Sequence, residues 1–201
     1  MTVDLKDKVV LITGAGKGAG AALARAFAEQ GALVALNDIS PINVEQVAAE
    51  ITAKGGKAKA YVEDIAKKVG VQYVIKGVED DFGGMDILVN HAVVKPHTTR
   101  LAVDDWDWHR TLDVNLTGAF LTIQSAGRIM REKGHGAILN IVAEAGIRPE
   151  SEAGAYPASM AGLVALSHQA DRELSPLGIR VYAVENSADV VKNVIKILEA
   201  Q

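Results

Sequence analysis

Thr13-Gly14-Ala15-Gly16-Lys17-Gly18-Ala19-Gly20 places four glycines and a lysine in eight consecutive residues. Backbone so short of Cβ atoms can turn sharply and approach a pyrophosphate closely. The helical stretch 21–30 behind it would aim free N–H groups and the positive end of its dipole at the phosphates. Gly14, Gly16, Lys17, Gly18, Ala19 and Gly20 are therefore candidate phosphate-side residues, against the plainer reading of ordinary loop glycines. Asp38 follows Gly20 by 18 residues, with Ile39 beside it. That is close to the spacing of a carboxylate that accepts hydrogen bonds from an adenosine 2′-hydroxyl and repels a 2′-phosphate. Asp38 thus favours NAD over NADP as the ligand, whereas Lys17 could meet a 2′-phosphate and pulls the other way. A plain turn residue at the end of a strand is the alternative reading of Asp38.

These side chains need a frame that brings a turn, an acidic strand end and a helix N-terminus together. Short β-rich apolar runs at 9–13, 33–37, 57–62, 86–90, 137–142 and 179–184 read as strands. They read as apolar on both faces, which is the mark of a parallel sheet covered on both sides. Between them Val44, Val47, Ala48 and Ile51, and again Val71, Val74, Ile75 and Val78, recur with helical spacing. Ser40 reads as an N-cap with Pro41 in the first turn, and Gly55-Gly56 as the stop. A last helix is expected over 188–200, with Val191, Val194, Ile195 and Leu198 on one face. Strand and helix in steady alternation predict an α/β fold, a doubly wound parallel sheet with right-handed crossovers and helices on both faces. A single domain over residues 1–201 is expected.

Composition narrows the class. Of 201 residues 49% are apolar and 23% charged, with Lys+Arg 21 against Asp+Glu 25 and a formal net charge of -4. A chain so apolar and so weakly charged collapses rather than staying disordered. The pI is about 5.7, and no basic cluster gathers against phosphate, so no nucleic-acid partner is expected. There is no cysteine, hence no disulfide, thiolate nucleophile or Cys-ligated metal, which suits a cytoplasmic location. The apolar runs are far shorter than the roughly 20 residues that span a bilayer, and Met1-Thr2-Val3-Asp4 does not open like a signal peptide. His97, His109, His135 and His168 fall at no ligand spacing, so no metal site is expected.

With these motifs in order, the chain resembles the short-chain dehydrogenase/reductase family over residues 6 to about 184. Thr13-Gly14-x-x-x-Gly18-x-Gly20 is similar to that family's cofactor loop, and Asp64-Ile65 to the acidic position after strand three that contacts adenine. Asn90-His91-Ala92-Val93 stands where the family usually shows Asn-Asn-Ala-Gly, making Asn90 and Ala92 cofactor-side candidates. Asp113-Val114-Asn115-Leu116-Thr117-Gly118 resembles the segment with the catalytic asparagine, Tyr156 heads the Tyr-x-x-x-Lys segment, and Gly178-Ile179-Arg180-Val181 resembles the start of strand six. The resemblance implies a Rossmann-type sheet of order 3-2-1-4-5-6 and NAD(H)-dependent interconversion of a small alcohol and its carbonyl. Tyr156 would donate the proton and touch the cofactor, and Asn115 would support a proton relay.

Two of the family's four roles have other residues here. Four residues past Tyr156, where the family has lysine, stands Met160; thirteen before it, where the family has serine, stands Ala143. An unperturbed tyrosine titrates near about 10 and a nearby ammonium would lower that, but methionine brings no charge. Tyr156 is thus expected to stay protonated near neutrality, so oxidation suffers more than carbonyl reduction. Without the serine donor, an interaction that strengthens as charge develops is lost. The alternative from another class is an inactive dinucleotide-binding protein, a sensor or assembly partner. After 178–184 the family's substrate-covering loop and final strand find no counterpart in the sequence, which leaves the sixth strand as a possible sheet edge.

Among stand-ins, His91 is the best candidate for a substitute acid, against a hydrogen-bonded histidine of the cleft wall. Glu144 and Arg148 read as solvated loop charges, and Trp106 and Trp108 as packing residues. Long helices near 104–133 and 154–175 suit a homo-oligomer, since Ala155, Ala158, Ala161, Gly162 and Ala165 let helices approach closely.

Overall fold

Six short apolar segments pair into one parallel sheet in the computed structural model, which describes residues 5–96, 102–143 and 155–200. In chain order the elements are β1 (Val9–Thr13), α1 (Gly18–Glu29), β2 (Leu33–Asp38), α2 (Pro41–Ala53), β3 (Lys57–Val62), α3 (Lys68–Phe82) and β4 (Ile87–Asn90). Then follow α4 (Asp105–Leu112), a π-helical segment (Asp113–Gly118), α5 (Ala119–Lys133), β5 (Gly136–Val142), α6 (Ala155–Leu174), a short 3-10 turn (Ser175–Leu177), β6 (Ile179–Glu185) and α7 (Val190–Glu199). The strand order is β3-β2-β1-β4-β5-β6, as the sequence predicts, and each expected strand is found within a residue at either end.

Alternation along the pleat builds two cores. Val10, Ile12, Val34, Leu36, Val89 and Leu139 point to one face, where Leu23 and Phe27 of α1, Val44 and Val47 of α2 and Val194 of α7 cover them. Val9, Leu11, Ala35, Leu88 and Ile138 point to the other, under Val71 and Val74 of α3, Ile123 and Met130 of α5 and Ala170 of α6. Strands covered on both faces carry apolar side chains in both directions. β3 departs from that expectation: it lies at the sheet edge, and Lys57 and Lys59 reach solvent while Tyr61 is buried, a charged margin that discourages further pairing. β6 forms the other edge, where Val181 N–H is held by the Asp171 carboxylate at 2.9 Å.

Local chemistry sets most helix ends as expected, with two corrections. Ser40 is the N-cap of α2 and Pro41 its first residue, but the Ser40 side chain makes no cap bond. Its own N–H donates instead to Asp38 Oδ1 at 3.0 Å, so the acidic residue orders the turn. Trp106 and Trp108 do not pack in the core: they are 70% and 38% exposed, because α4 turns only Thr111 fully inward. α7 begins two residues later than predicted and buries Val190, Val194 and Leu198 against the face that carries α1.

Asp86, just before β4, ties three elements. Its carboxylate accepts from Val9 N–H at 2.8 Å and from Lys133 Nζ. Burial alone would raise the Asp86 carboxyl, but Lys133 and the Val9 amide outweigh it and hold it below the ordinary range. A carboxyl depressed in the folded state stabilises the fold above its unfolded pKa near about 4, and that contribution disappears as pH falls through the folded value. Asp86→Asn is therefore expected to be less stable than wild type at pH 7, with the gap closing in the acid range. Urea midpoints at pH 7 and pH 3 check this, and a gap that widens toward acid would contradict it.

Candidate active site

Where β1, β2 and β4 end, the chain opens a cleft of about 260 Å³. A crevice at the carboxyl ends of parallel strands, where the strand order reverses, is where open α/β sheets bind ligands. Gly14, Lys17, Asp38, Ile39, Asp64, Ile65 and Ala92 of the expected residues line it, and His91, Arg110, Val94 and Val114 join them.

The glycines do different work from one another. Gly14 has φ +66°, and a Cβ there would stand 2.7 Å from Ala92 Cα, so the turn lies directly on the segment leaving β4. Gly18 has φ +57°, and a Cβ there would meet nothing within 4 Å. Gly20, already in α1, presses on the Gly14 carbonyl, and its Cβ position is also 2.7 Å from His91 Nδ1. Gly16 N–H donates to Asp38 Oδ2 at 2.9 Å. Gly16 and Gly20 thus shape the turn, while Gly18 leaves its outer side open. Lys17 is the N-cap of α1 and makes no side-chain cap bond, so the amides of the first turn keep their affinity for an anion.

The acidic positions differ as well. Asp38 is held by two backbone N–H groups, from Gly16 and Ser40, and a carboxylate has lone pairs left for a third donor. Asp64 forms an ion pair with Arg110, 2.8 Å from Nη1 to Oδ2, and accepts from Ala66 N–H. Burial opposes its charge, but Arg110 and the amide prevail and hold its carboxyl below the usual range. The Asn90 side chain does not line the cleft. It bridges Thr122 Oγ1 (2.7 Å) and Asn140 (2.8 Å), and Asn140 continues to Ser167 Oγ at 2.8 Å. This buried polar chain ties α5, β4, β5 and α6 together, and the backbone beyond Asn90 forms the wall instead.

His91 sits on that wall with Nδ1 3.1 Å from Gly14 O. A carbonyl only accepts, so Nδ1 carries the proton there. Burial pushes the imidazole below its ordinary value despite that bond and Asp38. Burial thus favours the neutral imidazole, and the bond to Gly14 O fits the cleft-wall reading of His91 better than that of a substitute acid.

Asn115 lies in the π-helical segment, a local irregularity frequent at functional sites. It is 1% exposed and fully engaged: Oδ1 accepts from Val94 N–H at 2.7 Å, and Nδ2 donates to Val94 O and to Ser159 Oγ, at 3.0 and 2.9 Å. Ser159 in turn donates to Tyr156 O. Asn115 therefore positions the segment leaving β4 and the first turn of α6. Tyr156 heads that turn, packed among Ala119, Val142, Met160 and Leu163, with Ala143 beside them. Burial pushes its phenol up, and among the described residues its hydroxyl has no hydrogen-bond partner. The Lys95 ammonium lies 5.3 Å from the centre of its ring.

Sequence reasoning missed Thr13, Arg110, Ser159 and Lys95 as site residues. Thr13 Oγ1 accepts from both His91 and Ala92 N–H; its place at the head of the glycine run was the only signal. Nothing local joins Arg110 to Asp64 or Lys95 to Tyr156. His97, Glu144 and Arg148 lie outside the described residues. Among the described residues no helix is long and apolar enough to cross a membrane.

A family model for short chain dehydrogenases matches residues 8–191. D-threitol dehydrogenase of Mycolicibacterium smegmatis is 37% identical over 180 residues, covering 90% of this chain and 69% of that enzyme. The crystal structure of NAD+-bound xylitol dehydrogenase superposes with a TM-score of 0.87 at 33% identity, over 90% of this chain and 70% of that one. A metagenomic short-chain oxidoreductase in complex with NADP gives 0.92 at 31% identity, over 98% of this chain and 92% of that one.

Proposed function

The chain belongs to the short chain dehydrogenase family, and from that premise we propose that it binds NAD(H) and interconverts a small alcohol and its carbonyl, chiefly by reduction. The carrying observation is Asp38, fixed by Gly16 and Ser40 in the cleft that the glycine turn opens. The cleft fits such a cofactor: the Gly18 side of the turn is open, the first turn of α1 is uncapped, and the Asp38 carboxylate has acceptor capacity left. NAD binding by one structural relative and NADP binding by another support a nicotinamide dinucleotide as the ligand class.

Bound in the cleft, a nicotinamide dinucleotide would supply or accept a hydride. The chain's own work is to hold and to move a proton. Gly14, Gly18 and the amides opening α1 would take the phosphates, and Asp38 the adenosine ribose. Asp64 with Ile65 would flank the adenine, and Ala92 the nicotinamide side. Tyr156 would give its hydroxyl proton to the carbonyl oxygen, and a protonated phenol is the form this donor needs. Ala143 and Met160 add neither a donor nor a charge, so turnover is weak, and weakest in oxidation.

Titration with NADH and NADPH, followed by calorimetric heat, tests the reading. NADH is expected to bind more tightly, and Asp38→Asn to narrow the preference by roughly tenfold as one like-charge repulsion is removed. A preference for NADPH would overturn the choice of NAD; no binding of either at millimolar concentration would overturn the oxidoreductase reading.

One observation favours a second reading, an inactive dinucleotide-binding protein: the Tyr156 phenol is buried among apolar side chains, with Met160 only 2% exposed beside it. Tight NADH binding with no NADH consumed across a panel of small ketones and aldehydes would select it. Pairing of two copies through α5 and α6 belongs to either reading. The groove there exposes Phe120 (44%) and Leu177 (40%), with Arg128, Arg131 and Glu173 around it.

A further inference from the structure

Tyr156 is enclosed by uncharged groups. Ala119 of α5, Val142 of β5, and Met160 and Leu163 of α6 pack with it, and Leu116, Ala143 and Ala183 lie around them. Asn115 and Ser159 are neutral and bonded to each other below its carbonyl. The Lys95 ammonium lies over it, 5.3 Å from the ring centre. The root of that lysine is fixed, because the preceding residue, Val94, has both its N–H and its C=O held by Asn115. Its side chain is exposed.

We propose that Lys95 is the positioning cation of Tyr156: from the segment leaving β4, its ammonium holds the phenol and sets how readily the hydroxyl releases its proton. A cation on an aromatic face is attracted by the ring quadrupole, and a phenolate adds full opposite charge to that attraction. The inference rests on the reading of Tyr156 as proton donor. A reduced nicotinamide bound in the cleft would supply the hydride for the carbonyl carbon, and Tyr156 would give its proton to the oxygen. The phenolate left behind is stabilised by Lys95 until a solvent proton restores it.

The test labels the Cζ carbons of Tyr61, Tyr73, Tyr156 and Tyr182 with ¹³C and titrates them by NMR in the intact protein, with Tyr156→Phe identifying the signal. Lys95→Met is expected to raise the pH at which Tyr156 ionises by roughly half to one unit, the effect of one partly solvated charge at this range. Lys95→Arg keeps the wild-type value. An unchanged Tyr156 titration in Lys95→Met overturns the proposal. A second readout needs no ionisation: the Lys95 ε-methylene protons resonate upfield under the Tyr156 ring current and return to ordinary lysine shifts in Tyr156→Leu. Ordinary shifts in the wild type overturn the pairing. NADH titration of the same samples separates the two readings. If NADH binds while Tyr156 ignores Lys95, this inference falls and the proposed function stands; if NADH does not bind, the oxidoreductase reading falls and the tyrosine data still decide the pairing.

Discussion

Gly20→Ala is expected to lower NADH affinity at least tenfold and to destabilise the fold, although alanine is the better helix former. In an unobstructed helix interior that exchange would stabilise by roughly 0.5–1 kcal/mol. Here the added Cβ would press into the Gly14 carbonyl oxygen and stand 2.7 Å from His91 Nδ1. Neither neighbour is a loose end. Gly14 lies on the Ala92 backbone, and His91 is bonded to that same carbonyl. The turn must move away from α1, at the cost of about 1–3 kcal/mol usual for overpacking, and the phosphate-side amides move with it. Gly18→Ala is the control for stability alone, because Gly18 itself is placed on the phosphate side. Its Cβ would enter open space at φ +57°, so only backbone strain of about 1–2 kcal/mol is added. Urea unfolding with NADH calorimetry on both variants decides the matter: a Gly20→Ala protein more stable than wild type would refute the packing of α1 on the turn.

The second large effect is expected at Asn115. Leucine there removes three hydrogen bonds at once and leaves the Val94 N–H, the Val94 carbonyl and Ser159 Oγ without that partner. Each buried polar group left unpaired costs about 1–3 kcal/mol, and these three act as a unit, so Asn115→Leu should lose roughly 3–5 kcal/mol. The consequence for function follows from what Asn115 holds. Val94 is part of the cleft wall, Lys95 follows it, and Ser159 is bonded to the first turn of α6. Asn115→Leu is therefore expected to loosen the cleft wall and the Tyr156–Lys95 pairing together. Chemical denaturation measures the first effect and the Tyr156 NMR signal the second. A loss of stability below about 1 kcal/mol would show that the Asn115 amide is not the tie described here.

Local sequence pattern marked out the elements and one end of the site. Apolar runs marked six strands to within a residue, the period of Val44, Val47 and Ile51 marked the buried face of α2, and Gly14 through Gly20 with Asp38 marked the cleft. All of these are local, because a backbone conformation or a buried face depends on residues a few positions apart. Tertiary structure decided what each polar side chain was for. Asn90 and Asn140, 50 residues apart, meet inside the molecule because β4 and β5 are neighbours in the sheet. Asp64 meets Arg110 across 46 residues, and Lys95 reaches Tyr156 from a different strand end. A polar side chain takes the nearest partner in space once water is excluded, and no local period carries the identity of that partner. Thus the motif located the cleft, while the packing of β4, α5 and α6 turned Asn90 into an internal tie, Asn115 into an anchor and Lys95 into the charge facing Tyr156.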